Sequence, residues 1–259
     1  MRITKTNYYS QKANLEYMSA SQWKAFNRCE AAAMAELEGL YKQEETTALL
    51  VGSYVDAYYE GTLEKFAQEH PQIFKKDGTL KADFIKADEL IARISLDTER
   101  GGIFEKYLLG QHQKIMTGNI EGVPFKIKMD SYFPKKVIVD LKTVKDFKPI
   151  YDPVLSRSVP FIEFWQYDFQ GAIYQEIARQ KTGYRLPFYI AAITKETEPN
   201  LALMSIPQER LDYCLSIVEA TAPRYNQLKH KEQQSESCQR CNWCLNQKIV
   251  SEIVDYRDI

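Results

Sequence analysis

The stretch KKVIVDLKT at residues 135–143 constrains the fold more than any other part of the sequence. Its apolar run predicts a β-strand, yet an acid and a lysine stand on either side of a single leucine. Because side chains alternate between the two faces of a strand, Asp140 and Lys142 should point to the same side. An isolated surface ion pair would contribute little to stability, so this pair requires another explanation.

The preceding segment, VPFKIKMDSYF at residues 123–133, predicts a second strand with Asp130 near its end. A turn at Pro134 joins the two segments, so we expect an antiparallel hairpin. Centring the turn just after Pro134 places Asp130 opposite about residue 139, which is next to Asp140. The sequence therefore predicts two carboxylates side by side at this hairpin.

Two carboxylates this close in a partly buried site repel each other, and a divalent cation relieves the repulsion. Mg²⁺ prefers a few carboxylate oxygens and keeps water or substrate phosphates at its other positions. We therefore predict that Asp130 and Asp140 bind Mg²⁺ or Mn²⁺, and that Lys142 orients a water or stabilises charge on a phosphate. The alternative is a solvated cluster of salt bridges at the strand ends.

The rest of the chain predicts helices and strands in one α/β domain over residues 1–259. Ser21 is the predicted cap of the first helix, and an apolar stripe of Trp165, Phe169, Ile173 and Ile177 marks a later one. The predicted helices cover residues 21–39, 47–61, 81–96, 161–181 and 207–230, and the predicted strands cover 112–121, 123–133, 135–143, 185–194 and 201–207. We expect a mostly helical part at 1–110, a catalytic sheet and helix at 111–207, and a C-terminal helix with a cysteine cluster at 208–259.

The composition narrows the class of protein. A hydrophobic content of 44% and a charged content of 27% are ordinary for a globular protein, and no apolar run is long enough to cross a bilayer. The N-terminus lacks the apolar core of a secretion signal, and five cysteines do not form a secreted disulfide pattern, so we expect a cytoplasmic protein. The net charge of −1 argues against non-specific coating of nucleic acid, but it allows binding in one local groove.

The segment CQRCNWC places Cys238, Cys241 and Cys244 at spacings of two residues. Such spacing lets thiolates converge on one metal centre, and three thiolates require a fourth ligand. Cys214 lies in an apolar helical segment and is predicted to be a core residue. The three histidines show no ligand-like spacing, and we assign them no role.

The pattern D-x₉-D-L-K, ahead of a helix with Q-x₃-Y, resembles the PD-(D/E)-x-K nuclease superfamily. Within it, most of the chain is similar to phage and prophage exonucleases of the RecE type and to the wider RecB-like group. The resemblance implies a restriction-endonuclease-like mixed central sheet flanked by helices, with an N-terminal helical addition. It also implies that Asp130, Asp140 and the backbone carbonyl of Leu141 hold the metal, and that Lys142 is catalytic.

The same resemblance implies further site residues. In GSYVDAYYEG, Gly52 matches the family's G-x₃-H, and Asp56 stands where the metal-binding histidine is usual, unless it is an ordinary polar residue of an amphipathic helix. Gln170 and Tyr174 match Q-x₃-Y, which contacts DNA or supports the active site in relatives, although Tyr174 could equally be a core residue. Tyr167 is a weaker candidate one turn earlier. Lysines around the acids would follow the DNA backbone: Lys126, Lys128, Lys135, Lys136, Lys145 and Lys148.

The segment SASQWKAFNRCE resembles the start of RecB-like nucleases that carry an iron–sulfur cluster. There, one N-terminal cysteine and three C-terminal cysteines hold a [4Fe–4S] centre, which makes Cys29 the implied fourth ligand. The gap before Cys244 is shorter than in that family. Zinc bound by the same four cysteines, or free thiols, remain the alternatives.

Together, chemistry and resemblance predict a Mg²⁺-dependent DNA exonuclease of phage or prophage recombination that acts on linear duplex ends. The resemblance implies 5′-to-3′ polarity, a ring-shaped homo-oligomer and a single-strand annealing protein as partner. One alternative is a RecB-like nuclease that cuts single strands or acts as an endonuclease. The other is a non-catalytic scaffold that binds nucleic acid and contains a metal clamp.

Overall fold

A mixed β-sheet forms the centre of the molecule. The computed structural model describes residues 1–42, 44–251, 253, 255 and 257. In this part of the chain, five strands pair in the order β1-β2-β3-β6-β7, with β3 and β6 parallel and the other neighbours antiparallel. Their bounds are Gln111–Ile120 (β1), Val123–Phe133 (β2), Val137–Val144 (β3), Phe188–Thr194 (β6) and Leu201–Ser205 (β7).

A small hairpin outside this sheet follows β3. Its strands are Ile150–Asp152 (β4) and Arg157–Val159 (β5). The sequence analysis predicted no strands here, because three-residue strands of mixed polarity carry too little periodicity to be recognised. The hairpin leads the chain from the end of β3 to the helices behind the sheet.

The helices divide into an N-terminal group and a C-terminal group. The N-terminal helices are Gln11–Glu16 (α1), Ala20–Arg28 (α2), Glu30–Leu37 (α3), Thr47–Tyr59 (α4), Leu63–Glu69 (α5), Ala82–Glu99 (α6) and Phe104–Leu108 (α7), with a 3₁₀ turn at Pro71–Ile73. The C-terminal helices are Phe161–Phe164 (α8), Tyr167–Thr182 (α9), Gln208–Lys229 (α10) and Asn242–Asn246 (α11). None of the helices in the described part of the chain has the length and apolar character that a bilayer crossing requires.

An apolar core lies on each face of the sheet. One core contains Trp23 of α2, Ile173 of α9 and Val218 of α10, and the other contains Val55 of α4 and Ile91 of α6. Strand β3 contributes side chains to both cores, because its side chains alternate between the two faces, as the sequence predicted. Ile138 belongs to the first core, and the second contains Val137, Val139 and Leu141. The strand that carries Asp140 is therefore fixed from both sides.

The predicted helix at 21–39 is wrong in two respects. It begins two residues earlier, because the side chain of Ser19, not that of Ser21, caps α2 by accepting a hydrogen bond from Gln22 N–H at 3.2 Å. It is also broken at Cys29, whose backbone is extended (φ −165°, ψ 111°) and whose Sγ accepts a hydrogen bond from Ala32 N–H. The break turns the cysteine away from the helix path and starts α3.

The predicted helix at 161–181 is also interrupted. Gln166 adopts a left-handed conformation (φ +56°), which separates the short α8 from α9. Trp165 consequently lies outside α9 and is 41% exposed, so it does not belong to the predicted apolar stripe. The stripe continues correctly with Ile173 and Ile177, which are fully buried.

Close approach of α9 to β6 depends on Gly171. A Cβ atom at this position would come within 2.6 Å of the Phe188 ring. The missing side chain therefore lets α9 lie directly on the sheet. Because Gln170 is the next residue, the same contact sets how far its side chain reaches toward β3.

Candidate active site

The β2–β3 hairpin brings the two predicted acids together. Pairing at the hairpin ends with Ser131 opposite Val139, so Asp130 and Asp140 are the next residues on the two strands. The observed register differs by one residue from the predicted one, because Lys135, in a left-handed conformation (φ +62°), is the centre of the turn. Asp130 Oδ2 also accepts a hydrogen bond from Leu141 N–H at 3.1 Å, which ties the acid to β3.

Asp140 is the most constrained acid of the group. Its residue is 1% exposed, and Lys142 forms an ion pair with its Oδ2. Its Oδ1 accepts a hydrogen bond from Gln170 Nε2 at 2.6 Å. A buried carboxylate held by a cation and an amide is a fixed, pre-oriented oxygen donor, which is what a metal ligand requires.

Helix α9 contributes the two residues of the Q-x₃-Y pattern in different ways. Gln170 bonds Asp140 directly, whereas the Tyr174 hydroxyl donates to the backbone carbonyl of Lys128 at 3.0 Å. Tyr174 is also 8% exposed and belongs to the first core. It therefore packs in the core and anchors β2, while Gln170 orients the acid.

Asp56 reaches the same place from α4. This helix lies against β3 at Gly52, where an added Cβ would contact the Thr143 side chain at 3.9 Å. Asp56 lines a small cleft together with Asp130 and Leu141. The pKa of Asp56 is raised to about 7, mainly by burial and also by the charge of Asp140, against the attraction of Lys142.

The site contains more carboxyl groups than cationic groups. Burial raises the pKa of Asp130 well above its usual range, and repulsion from Asp140 adds to the effect. For Lys142, burial lowers the pKa, but attraction by Asp140 and Asp130 outweighs it, so the ammonium is retained. One lysine therefore faces three carboxylates, and this donor set fits a hard divalent cation. The carbonyl of Leu141 remains a predicted ligand.

Lys24 of α2 is a site residue that the sequence analysis missed. Its ammonium donates to Gln170 Oε1 at 3.4 Å and lies 5.2 Å from the centre of the Tyr167 ring. Lys142 lies at the same distance from that ring, so two ammonium groups contact Tyr167. Burial and repulsion by Lys142 lower the pKa of Lys24 to about 7. No spacing in the sequence connects residue 24 with β3, because packing of α2 against α9 creates the contact.

Glu60 and His112 were also missed. Both line the cleft beside Asp56, and Glu60 accepts a hydrogen bond from the Gln113 side chain. Burial raises the pKa of Glu60. A signal for Glu60 existed in the sequence, since it lies four residues after Asp56 on the same helix face.

The predicted role of Lys126 is wrong. This residue is 1% exposed, and its ammonium is bonded to Tyr8 O and to Asn14 Oδ1. It supports the N-terminal segment and does not face a groove. The other predicted backbone-following lysines have accessible side chains: Lys128, Lys135, Lys136, Lys145 and Lys148.

The cysteines converge as the sequence and the resemblance predicted. Ligand atoms of Cys29, Cys238, Cys241 and Cys244 all lie within 4.8 Å of one another. The fifth cysteine, Cys214, is fully buried in the first core, in agreement with the prediction. The donor set is therefore suitable for a soft metal, at a place separate from the acids.

Comparison with known proteins gives a consistent result. The profile of a family described as a PDDEXK-like domain of unknown function (DUF3799) matches residues 19–247. A crystal structure of a protein from Eubacterium rectale, which bears a provisional name as an exonuclease, is 43% identical, covers 100% of this chain and 98% of its own, and superposes with a TM-score of 0.92. The structure of SSO0001 is 13% identical over 78% of this chain and 84% of its own, and it superposes poorly, with a TM-score of 0.26.

No curated protein matches the chain. The family match nevertheless covers the β2–β3 acids, the α9 glutamine and all four clustered cysteines. The observed five-stranded mixed sheet of the described residues agrees with the fold that this family name implies. The chain belongs to the family of PDDEXK-like domains described as DUF3799.

Proposed function

We propose that the protein is a metal-dependent DNA exonuclease that uses Mg²⁺ or Mn²⁺. One observation supports this proposal above all: Asp130 and Asp140 lie side by side on paired strands of a PDDEXK-like fold, and Lys142 forms an ion pair with Asp140. The exonuclease name of the Eubacterium rectale protein supports the same activity. The acids are oriented by hydrogen bonds from Leu141 and Gln170, as expected of a preformed metal site.

Asp56, Asp130, Asp140 and the Leu141 carbonyl would hold the cation. When bound, the cation lowers the pKa of a water and neutralises charge on the scissile phosphate. Lys142 then orients the attacking water through its ammonium group. The water oxygen would form a bond to phosphorus as the bond to the leaving oxygen breaks in line, with the water releasing its proton to solvent and the leaving oxygen taking one from solvent.

Lys24 and Gln170 supply a second part of the mechanism. The two side chains are joined by a hydrogen bond, so a phosphate that contacts Lys24 is placed next to the amide that orients Asp140. Lys24 would therefore bind a phosphate oxygen and hold the DNA backbone against the acids. The exposed lysines beyond β3, including Lys145 and Lys148, would extend this contact along the strand.

The finer parts of the proposal rest on the resemblance to RecE-type exonucleases. They are 5′-to-3′ digestion of linear duplex ends, a ring-shaped homo-oligomer, a single-strand annealing partner, and a cytoplasmic role in phage or prophage recombination. A site that contacts mainly phosphates does not read base sequence, which suits digestion of any linear end.

The first experiment uses linear duplex DNA labelled at the 5′ end of one strand, with and without Mg²⁺. The wild type should release labelled mononucleotide only with Mg²⁺, and Lys142→Ala should be slower by at least about 100-fold. Lys12→Ala is the matched control, because that lysine is 74% exposed on α1.

The outcomes separate the alternatives. Release of long labelled fragments, or digestion of single strands alone, would replace the exonuclease with an endonuclease or a single-strand nuclease. If the wild type leaves every DNA form intact, the acids serve binding or structure, and the non-catalytic scaffold is the correct function.

A further inference from the structure

A tryptophan ring lies at the surface close to the acidic site. Trp165 is 41% exposed, and it is the only exposed tryptophan or phenylalanine in the part of the chain that the structure describes. An exposed indole forgoes the favourable burial that the same ring would gain in a core. Single exposed apolar side chains are common, so the surroundings of this ring decide whether it has a function.

The backbone directs this ring to the surface. Trp165 follows the last residue of α8, and Gln166 after it is left-handed (φ +56°). A helical conformation there would have continued α8 into α9 and placed Trp165 one turn before Phe169 on the same face. A left-handed residue other than glycine costs free energy, and such residues are frequent at functional sites. The local conformation therefore exposes the ring at a cost.

Cationic side chains flank the exposed ring. The Arg28 guanidinium lies 6.0 Å from the centre of the Trp165 ring, and the Lys24 ammonium donates to the Trp165 carbonyl at 3.4 Å. Lys24 also lies 5.2 Å from the centre of the Tyr167 ring, as Lys142 does. A continuous series of rings and cations therefore leads from Trp165 to the lysine beside the acids.

An indole flanked by cations fits one class of ligand. A nucleobase presents a flat π-face to an aromatic ring, and the phosphates next to it present negative charge to the cations. Inside a duplex, neighbouring pairs cover both faces of every base. The ring of Trp165 also spans one base and not a base pair, so an unpaired base is the ligand that fits it.

We propose that Trp165 stacks on an unpaired base of the DNA strand whose backbone enters the acidic site. This inference rests on the proposed function and specifies its substrate: a single strand, or a duplex end whose last bases are unpaired. Arg28 and Lys24 bind phosphates next to that base. Because every base has a π-face, the stacking contact accepts any sequence.

Binding of short single strands without Mg²⁺ tests the proposal independently of cleavage. One probe is a strand of thymidines, and the other has the same phosphates but carries tetrahydrofuran in place of each base. The wild type should bind the thymidine strand about tenfold more tightly than the abasic strand. In Trp165→Leu this preference should fall to about twofold or less, while affinity for the abasic strand stays the same.

Tyr184→Leu is the matched control. Tyr184 is also an exposed ring near a cation, the Lys135 ammonium at 5.4 Å, but it lies beyond the other end of α9, a helix about 24 Å long. This variant should keep the preference for bases. Equal losses on both probes in Trp165→Leu would indicate a structural effect and overturn the proposal. Equal dependence of a blunt duplex on Trp165 would also overturn it.

Intrinsic fluorescence of the wild type gives a second measurement, which does not require any variant to fold. Trp23 is fully buried and Trp243 packs against Tyr41, so Trp165 is the tryptophan that a base can reach. The thymidine strand should quench the emission, and the abasic strand should not. Equal quenching by the two strands, or none by either, would contradict the proposal.

Failure of this inference can be distinguished from failure of the proposed function. A wild type that cleaves DNA without a preference for bases would keep the nuclease and exclude the stacking. A wild type that prefers bases through Trp165 but cleaves no DNA would keep the stacking and exclude the nuclease.

Discussion

The acidic site and the cysteine site are both candidate metal centres, and they differ in every property that decides what a metal can do. The acidic site offers hard oxygen donors, contains a lysine beside them, and lines a small cleft. The cysteine site offers four soft donors whose Sγ atoms all lie within 4.8 Å of one another, and four thiolates would fill a tetrahedral ion. We therefore expect catalysis at the acidic site and a structural role for the cysteine site.

The two sites also differ in how the chain builds them. Asp130 and Asp140 lie on adjacent strands of one hairpin, and their supports come from α4 and α9. The cysteines lie at a helix break and in a C-terminal loop, outside the sheet. Rigid strands give the acids the positional precision that catalysis requires, whereas metal binding itself can supply the rigidity of the cysteine site.

The largest expected effect separates the two sites directly. Asp140→Asn removes one buried charge from the acidic site while it preserves shape and the hydrogen bond from Gln170. Nuclease activity should fall by more than about 100-fold, beyond the loss typical of an outer-shell partner. Mg²⁺ binding by calorimetry should weaken with it, and the four-cysteine group should stay unchanged.

An opposite result would remove the distinction between the sites. If Asp140→Asn kept its activity while Cys238→Ser lost activity at a temperature where it is folded, the cysteine site would be the catalytic one.

The hairpin acids could be predicted from sequence because the information is local. Alternation within residues 135–143 fixed the face of Asp140, and the turn at Pro134 fixed its neighbour to within one residue. The cysteine spacing and the family pattern located Cys29 and Asp56 as well. In each case, short-range geometry or a recognised motif carried the information.

Other features depend on tertiary packing and carry no local signal. Lys24 enters the site because Trp23, its neighbour on α2, stacks on Phe169 of α9 at 4.9 Å between ring centres. The helix break at Cys29 runs against a continuous helical pattern, and contacts with the C-terminal loop oppose that pattern. Burial of Lys126 by the N-terminal segment also could not be predicted from the sequence, because its partners Tyr8 and Asn14 are far away along the chain.

A smaller effect tests the connection between the two sites through α2. Lys24→Met keeps an unbranched side chain, one atom shorter, but removes the charge that faces Gln170. Because a charged hydrogen bond to one phosphate is lost, kcat/KM on DNA should fall about tenfold. Lys65→Met is the control, since that lysine is 74% exposed on α5.

The KM and kcat values of Lys24→Met add a second criterion. An effect confined to KM indicates that Lys24 binds DNA, and an effect on kcat indicates that it acts in the transition state. An unchanged kcat/KM would remove Lys24 from the site and leave the α2 connection without function.

The smallest effect concerns the pH dependence that the carboxyl groups of the acidic site contribute. Asp56 has its pKa raised to about 7, and that of Asp130 is raised as well, mainly by burial. A folded-state pKa above the unfolded value means that the folded protein binds more protons, so without Mg²⁺ its stability should fall as pH rises from about 4 to about 7. Mg²⁺ binds the deprotonated acids, so it should raise the melting temperature by a few degrees near pH 8 and hardly at all near pH 5.

Thermal melts across this pH range, with and without Mg²⁺ and in the absence of chelators, provide the measurement. Omitting the chelator keeps any metal at the four cysteines in place, so the difference between wild type and Asp56→Asn reports on the acidic site. Asp56→Asn should flatten the pH dependence of the metal-free protein, because the group that titrates near pH 7 is gone. If wild type and Asp56→Asn instead showed the same pH dependence, Asp56 would not titrate in this range, and the argument for a cation beside it would fail.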